Sequence, residues 1–270
     1  MSKTYFHHPY VSDLVQHLAE RSDVELIQYD DLDFGSDIDY VNAYPDEYAR
    51  WKKDRDKNKI QVLFQYDVDT QPERTDALLR IHESFGVPAS VMLFVEPAEG
   101  RGLLYHALLP RVRRLMDSGL CSVGYHCNAY ERANFQKDAA HELFCSDVKA
   151  LSSKYDVDIQ FWSPHGGDRS PEDQTNAHVM ETPLPMKSRL RWVHNKYTVR
   201  FDAQYSDGGL ACPTYSVDRN LQSFVAKMVP GKRYRILLHP QYYWLKPEPC
   251  ATLAGFGWYN KVMKSEGKVW

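Results

Sequence analysis

The chain has 270 residues, 43% of them hydrophobic and 26% charged, and carries a net charge of −3 with its 11 His neutral. That length suits one large α/β domain or two small ones with a sizeable core, and the near-neutral balance leaves no electrostatic footprint for a nucleic acid and no acidic disordered tail. No apolar stretch approaches the roughly 20 residues that a bilayer-spanning helix needs, and the start MSKTYFHHPYVSDL has no apolar signal-peptide core, so a cytoplasmic protein is expected.

In chain order, residues 11–20, VSDLVQHLAE, repeat Val11, Leu14, Val15 and Leu18 at helical spacing. The acidic stretch 30–39 reads as loop and the charged stretch 46–59 as a helical lead-in. No Pro/Gly/Ser linker separates domains, so residues 1–58 are taken as an N-terminal extension packed on a domain over 59–270. From residue 60 the pattern becomes regular. Residues 60–66 form a buried strand, Thr70-Gln71-Pro72-Glu73 reads as a capping box, and a helix with Ala77, Leu78, Ile81 and Phe85 on one face ends at Gly86. A strand is expected at 89–95, a helix at 103–118 closed by Gly119, a strand at 121–125, a helix at 137–153 and a strand at 157–162. Further strands are expected near 197–204, 211–217 and 234–238, with a helix near 219–228. Strands alternating with helices imply a parallel sheet or barrel with helices outside.

Polar side chains follow these strands in phase. Asp67 and Asp69 end the first, His126-Cys127-Asn128 the third, and Pro164-His165-Gly166-Gly167 the fourth; Asp207 lies in YSDGG and His239 ends YRILL. In a parallel α/β barrel the carboxyl ends of all strands meet on one face, where chemistry sits. The paired Asp67 and Asp69 have two readings: a solvated turn, or one carboxylate holding a cation while the other handles protons beside it. Cys121, Cys127, Cys145, Cys212 and Cys250 form no C-x-x-C pair, which argues against a disulfide framework and a Cys-rich zinc module. Nucleotide-binding glycine motifs and a G-x-S-x-G elbow are missing. The basic runs Arg111–Arg114 and Lys187–Arg191 are short enough to be solvated faces.

FQYDVDTQPERTDALLRIHESFGVPASVMLFV, VGYHCNAYE, SPHGG, YSDGG and LLHPQYYW together resemble the polysaccharide deacetylase superfamily (NodB homology, carbohydrate esterase family 4), in its branch with an H-D-V-D-like first motif. The resemblance spans about residues 60–245. It implies a distorted (β/α) barrel of about seven parallel strands, a divalent metal, and hydrolysis of an N-acetyl or related amide on a sugar. By the family's first motif, Asp67 is the general base and Asp69 a metal ligand. The second motif keeps its first His as His126, but the second His is replaced by Tyr130, a poor ligand unless ionised. Asn128, water or His165 then completes the site, or metal binding is weak; His165 is preferred, because imidazole suits Zn, Fe, Co and Ni. Cys127 points the other way if strand alternation continues.

In the third motif Pro164 and Gly166 fit, Trp162 stands where the family has an Arg bracing the base, Trp162 and Gly166 are expected to line the substrate site, and the His165 backbone N–H is the expected oxyanion donor. Asp207 matches the acidic residue that tunes the catalytic His, and His239 is the general acid, which Asp207 would keep protonated. Tyr242, Tyr243 and Trp244 offer an aromatic wall for a sugar ring or, equally, packing at barrel closure. The resulting expectation is a zinc-type metal-dependent deacylase acting on a carbohydrate. Its alternatives are a catalytically degenerate glycan-binding or scaffold domain, favoured by the missing His and Arg, and a hydrolase of a small non-sugar amide.

Overall fold

The computed structural model describes residues 4–32, 56–69, 72–95, 105–166, 170–180, 191–192, 201–207, 221–244 and 252–253. In chain order these form β1 (Thr4–His7), α1 (His8–Ala19), β2 (Val24–Ile27), β3 (Ile60–Val68), α2 (Pro72–Phe85), β4 (Ala89–Leu93) and α3 (Tyr105–Asp117). There follow β5 (Cys121–Cys127), α4 (Ala129–Arg132), α5 (Lys137–Tyr155), β6 (Phe161–Pro164), β7 (Arg191–Trp192), β8 (Ala203–Ser206), α6 (Leu221–Ala226), β9 (Arg233–Leu238), β10 (Tyr243–Trp244) and β11 (Thr252–Leu253). Residues 70–71 of the capping box expected at 70–73, residues 46–55 of the lead-in expected at 46–59 and the strand expected at 211–217 lie outside the described residues.

The main sheet runs β7-β6-β5-β4-β3-β9-β8, and every pairing in it is parallel. It curls into a half-barrel with helices packed on its outer face, the architecture of a distorted (β/α) barrel. The long β3 is shared along one edge: β2 pairs with residues 60–63 and β4 with residues 65–68, while β9 holds the opposite edge over 61–66. Residues 24–27, within the N-terminal extension, thus supply a strand of this sheet. A small parallel sheet, β10-β1-β11, lies apart from it.

β3 is buried on both faces along its whole length, with apolar side chains on every helix-facing position. Ile60, Val62, Phe64, Tyr66 and Val68 face the helices, meeting Leu78 and Leu79 of α2 and Leu108 and Val112 of α3 in the large apolar core. Leu63 faces inward with Ile27, Tyr29, Met92 and Phe161 in a second, smaller cluster. The period-2 alternation places Gln65 and Asp67 on that same inner face. The strand expected at 157–162 starts later, at Phe161, because Asp156 ends α5 in the left-handed region (φ 52°) and the next turn folds back, Val157 N–H donating to Ser152 O at 3.1 Å. Gly86 (φ 64°) ends α2 in the same region, with Val87 N–H donating to His82 O at 2.9 Å. No helix among the described residues is long and apolar enough to cross a membrane.

Candidate metal centre and its flanking acid and base

Inner-face positions at the carboxyl ends of the strands carry the polar set. Asp67, at the end of β3, is only 3% exposed. Its Oδ1 accepts a hydrogen bond of 2.6 Å from Gln65 Nε2. Gln65 is itself fixed from behind: its Oε1 accepts from Tyr29 Oη at 2.5 Å and from Arg235 Nη1 at 3.2 Å. An amide whose oxygen takes two donors must turn its NH2 the other way, so this arrangement aims Gln65 at Asp67. Burial pushes the Tyr29 phenol up to about 12, which keeps it a donor. Arg235, 1% exposed, also reaches Tyr29 Oη at 3.3 Å and Gln204 Oε1, with its guanidinium 5.0 Å from the Phe201 ring centroid.

One residue beyond β3, Asp69 Oδ1 lies 3.1 Å from His126 Nε2 and 3.8 Å from His165 Nε2. Donor atoms of these three residues all fall within 4.8 Å of one another. Asp69 Oδ2 accepts 2.6 Å from Gln241 Nε2. Burial alone would raise the Asp69 carboxyl, but the hydrogen bond with His126 and the charges of His239, His126 and His165 outweigh it and hold it well below the usual carboxylate range. His126 is buried against Phe94, ring centroids 4.7 Å apart. Its Nδ1 pairs with Ser163 Oγ at 2.9 Å, and Ser163 Oγ lies 3.5 Å from Asp67 Oδ1. Burial opposes the charged imidazolium, yet the Asp67 charge and the bond to Asp69 leave His126 raised above its ordinary value. His165 goes the other way. Burial and the neighbouring His126 lower it, despite Asp69 and Glu131. Its Nδ1 faces Glu131 Oε2 at 3.3 Å.

The donor set fits a divalent cation. One carboxylate oxygen and two imidazole nitrogens are the ligand types of a three-residue catalytic zinc site that leaves a position open, and donors on a tetrahedral ion sit about 3.3 Å apart. The 3.1 and 3.8 Å separations bracket that value. Each imidazole nitrogen remote from the cluster already has a partner, Ser163 or Glu131, which fixes the ring's tautomer and orientation for a ligand role.

Across the rim, Asp207 is fully buried and accepts three donors: His239 Nδ1 at 2.5 Å, His239 N–H at 2.8 Å and Tyr243 Oη at 2.9 Å. Burial would lower His239, but the Asp207 charge and hydrogen bond prevail, helped by Asp69 and Asp67, and push it up to about 10. Those last two interactions put His239 within electrostatic reach of both aspartates.

The structure therefore brings together Asp67, Asp69, His126, His165, Asp207 and His239. Tyr130 stays out of the cluster; it is buried against Phe135 and its hydroxyl donates to Gln174 Oε1. Cys127 lies on the helix-facing side of β5 and burial raises its thiol to about 12, so it is no ligand.

Three expectations require correction. Trp162 does not line the rim: it is 0% exposed and packs edge-on to Phe144, centroids 5.4 Å apart, because it has the opposite strand parity to Ser163 and His165. The His165 N–H is no oxyanion donor, since it donates to Cys127 O at 2.8 Å as the sheet pairing continues. Tyr243 is no sugar wall, being buried with its hydroxyl on Asp207. The side chains of Tyr242 and Trp244 lie outside the described residues, and Gly166 is exposed at the end of β6 with open space where a Cβ would stand. Sequence reasoning passed over Gln65, Arg235, Tyr29, Ser163, Glu131 and Gln241. For Ser163 and Arg235 a usable signal existed, their inward strand parity.

No family model and no curated protein matches the chain. Among solved structures it is similar to a family 4 acetyl xylan esterase from Clostridium thermocellum in complex with a cobalt ion, with 18% identity, a TM-score of 0.44, and 77% of this chain and 85% of that one covered. It is also similar to a peptidoglycan deacetylase from Bacillus subtilis, with 13% identity, a TM-score of 0.41, and 76% and 92% covered. A third likeness is to a CE4 family pseudoenzyme from Bacillus anthracis, with 18% identity, a TM-score of 0.41 and 68% of this chain covered. The chain spans only 56% of that pseudoenzyme's length.

Proposed function

We propose that this chain is a metal-dependent hydrolase that removes an acyl group, N-acetyl in the first place, from a carbohydrate or sugar-containing precursor. The observation that carries the reading is a single cluster of donor atoms from Asp69, His126 and His165, flanked by a braced carboxylate, Asp67, and by the His239–Asp207 pair. The sequence motifs quoted above support the same chemistry.

Asp69, His126 and His165 would hold a divalent cation, zinc as first choice with Fe, Co or Ni as alternatives; when bound, it supplies Lewis acidity toward the acyl oxygen and toward water. Asp67 accepts the proton of the attacking water. Its Oδ1 is occupied by Gln65, which leaves Oδ2 for that task. His239, held as the imidazolium by Asp207, delivers a proton to the leaving nitrogen.

The test is release of acetate from a panel of N- and O-acetylated sugars by the zinc-loaded protein. Asp67→Asn should abolish turnover and keep metal, whereas Asp69→Asn should lose both. Full activity in both variants contradicts the assignment of roles. The engagement of the His165 N–H by Cys127 O favours one second reading, a degenerate glycan-binding domain. Sugar binding without any acetate release would establish that one instead.

A further inference from the structure

The one-turn helix α4 directly follows β5 and divides its side chains between two tasks. Tyr130 is buried and its hydroxyl donates to Gln174. Its neighbour Glu131 turns the other way and places Oε2 3.3 Å from Nδ1 of His165. Asn176, fully buried, locks this arrangement: its Oδ1 accepts the Glu131 N–H at 3.1 Å, and its Nδ2 donates to His165 O at 3.1 Å and reaches Glu131 Oε2 at 3.4 Å. Phe94 stands edge-on to the His165 ring, centroids 5.1 Å apart.

From this geometry we infer that Glu131 is the positioning residue for the third donor of the metal centre: its carboxylate fixes the tautomer and aim of His165, with Asn176 tying both to the segment 170–180. The inference rests on the reading of Asp69, His126 and His165 as a cation site. A neutral imidazole has one N–H to give. Giving it to Glu131 from Nδ1 leaves the lone pair on Nε2, the nitrogen that faces Asp69. His165 lies one residue past β6 with its backbone N–H still bonded to Cys127 O, a bond that fixes its backbone and leaves the rotation of its ring to side-chain contacts. Without the carboxylate both tautomers and the flipped ring become accessible, and the ion would have to select one. Outer-shell partners of this kind typically govern metal affinity by about 10–100-fold.

The test uses cobalt(II) alone. The full chain, stripped with chelator, is titrated while the d–d absorption bands and the heat of binding are followed. The wild type should bind one ion. Glu131→Ala should weaken it about 10–100-fold, and Glu131→Gln, which keeps an acceptor oxygen, should fall between. Tyr130→Phe, which removes the hydroxyl that donates to Gln174 and leaves Glu131 in place, should leave the affinity unchanged. In zinc-loaded protein, ring-nitrogen NMR should report a single His165 tautomer with the proton on Nδ1, and a mixture in Glu131→Ala. If that variant fails to fold, Glu131→Gln decides. A Kd equal to the wild type's in whichever variant is measured overturns the role of Glu131 alone. A wild type that binds no cobalt overturns the cation site, and this inference with it.

Discussion

Two imidazoles at the rim of the sheet each lean on a carboxylate, and they differ in their hold on a proton. His239 meets Asp207 at 2.5 Å, and the Asp207, Asp69 and Asp67 charges outweigh its burial, pushing it up to about 10. His165 meets Glu131 at the longer 3.3 Å, stands beside His126, and is lowered by burial first and by that neighbour second. A carboxylate partner therefore does not by itself decide the state of an imidazole. Distance, the number of negative charges within reach and the presence of a like-charged neighbour decide it. The outcome suits the jobs proposed for this pair, a general acid that arrives carrying a proton and a ligand that arrives with a lone pair; His126, raised by Asp67 and Asp69, would have to give up its proton to a cation.

The sharpest way to break this contrast is Asp207→Asn. It removes the largest charge that offsets burial, so His239 should drop from about 10, with only Asp69 and Asp67 left to oppose burial. Turnover should drop about 10²–10⁴-fold, the usual contribution of general acid catalysis, while cobalt affinity stays as in the wild type. Parallel loss of both would mean that Asp207 holds the site together and does not tune the acid.

A second prediction concerns stability and pH. The folded state binds the His239 proton more tightly than the unfolded state does, at about 10 against an ordinary 6.5. Its stabilising contribution is therefore complete below pH 6.5 and is lost as pH rises through about 10. Urea midpoints of metal-free protein should decline across that window, and the decline should flatten in Asp207→Asn. Equal slopes in the two proteins would assign it to other groups.

The smallest of the three effects is expected for Tyr243→Phe, which removes one of the donors on Asp207. A hydrogen bond to a charged group contributes about 1.5–3 kcal/mol, so denaturation should show a loss in that range, with His239 still protonated at pH 7. A loss of acid function as large as in Asp207→Asn would show that the hydroxyl, and not the carboxylate charge, sets the proton.

Much of the fold was legible because its central strands β3, β4, β5 and β9 are buried on both faces and read as largely apolar runs cut by Gly, Pro and carboxylates. The rim residues were legible because they fall directly after those runs, at one phase. Trp162 shows where that reasoning stopped short: the alternation that turned Cys127 away from His126 turns Trp162 away from Ser163 in the same manner, and the two strands are in register at His126 and Ser163. The support behind Asp67 was legible only at Arg235, through its strand parity. Tyr29, Gln65 and Arg235 lie far apart in the chain and meet only because β3 and β9 are neighbours and the segment after β2 crosses beneath β4, with Tyr29 N–H on Ser90 Oγ at 3.1 Å. Neutral amides and a phenol inside apolar runs leave no local pattern, and which of them pair is fixed only by strand order.

The most direct measurement is a crystal structure of the full chain grown with zinc. The account predicts one ion bound by Asp69 Oδ1, His126 Nε2 and His165 Nε2 at about 2.0–2.2 Å, with Asp67 and His239 beside it but not bonded to it. An ion held by other residues, or His165 turned away from an ion that Asp69 and His126 hold without it, would contradict the account.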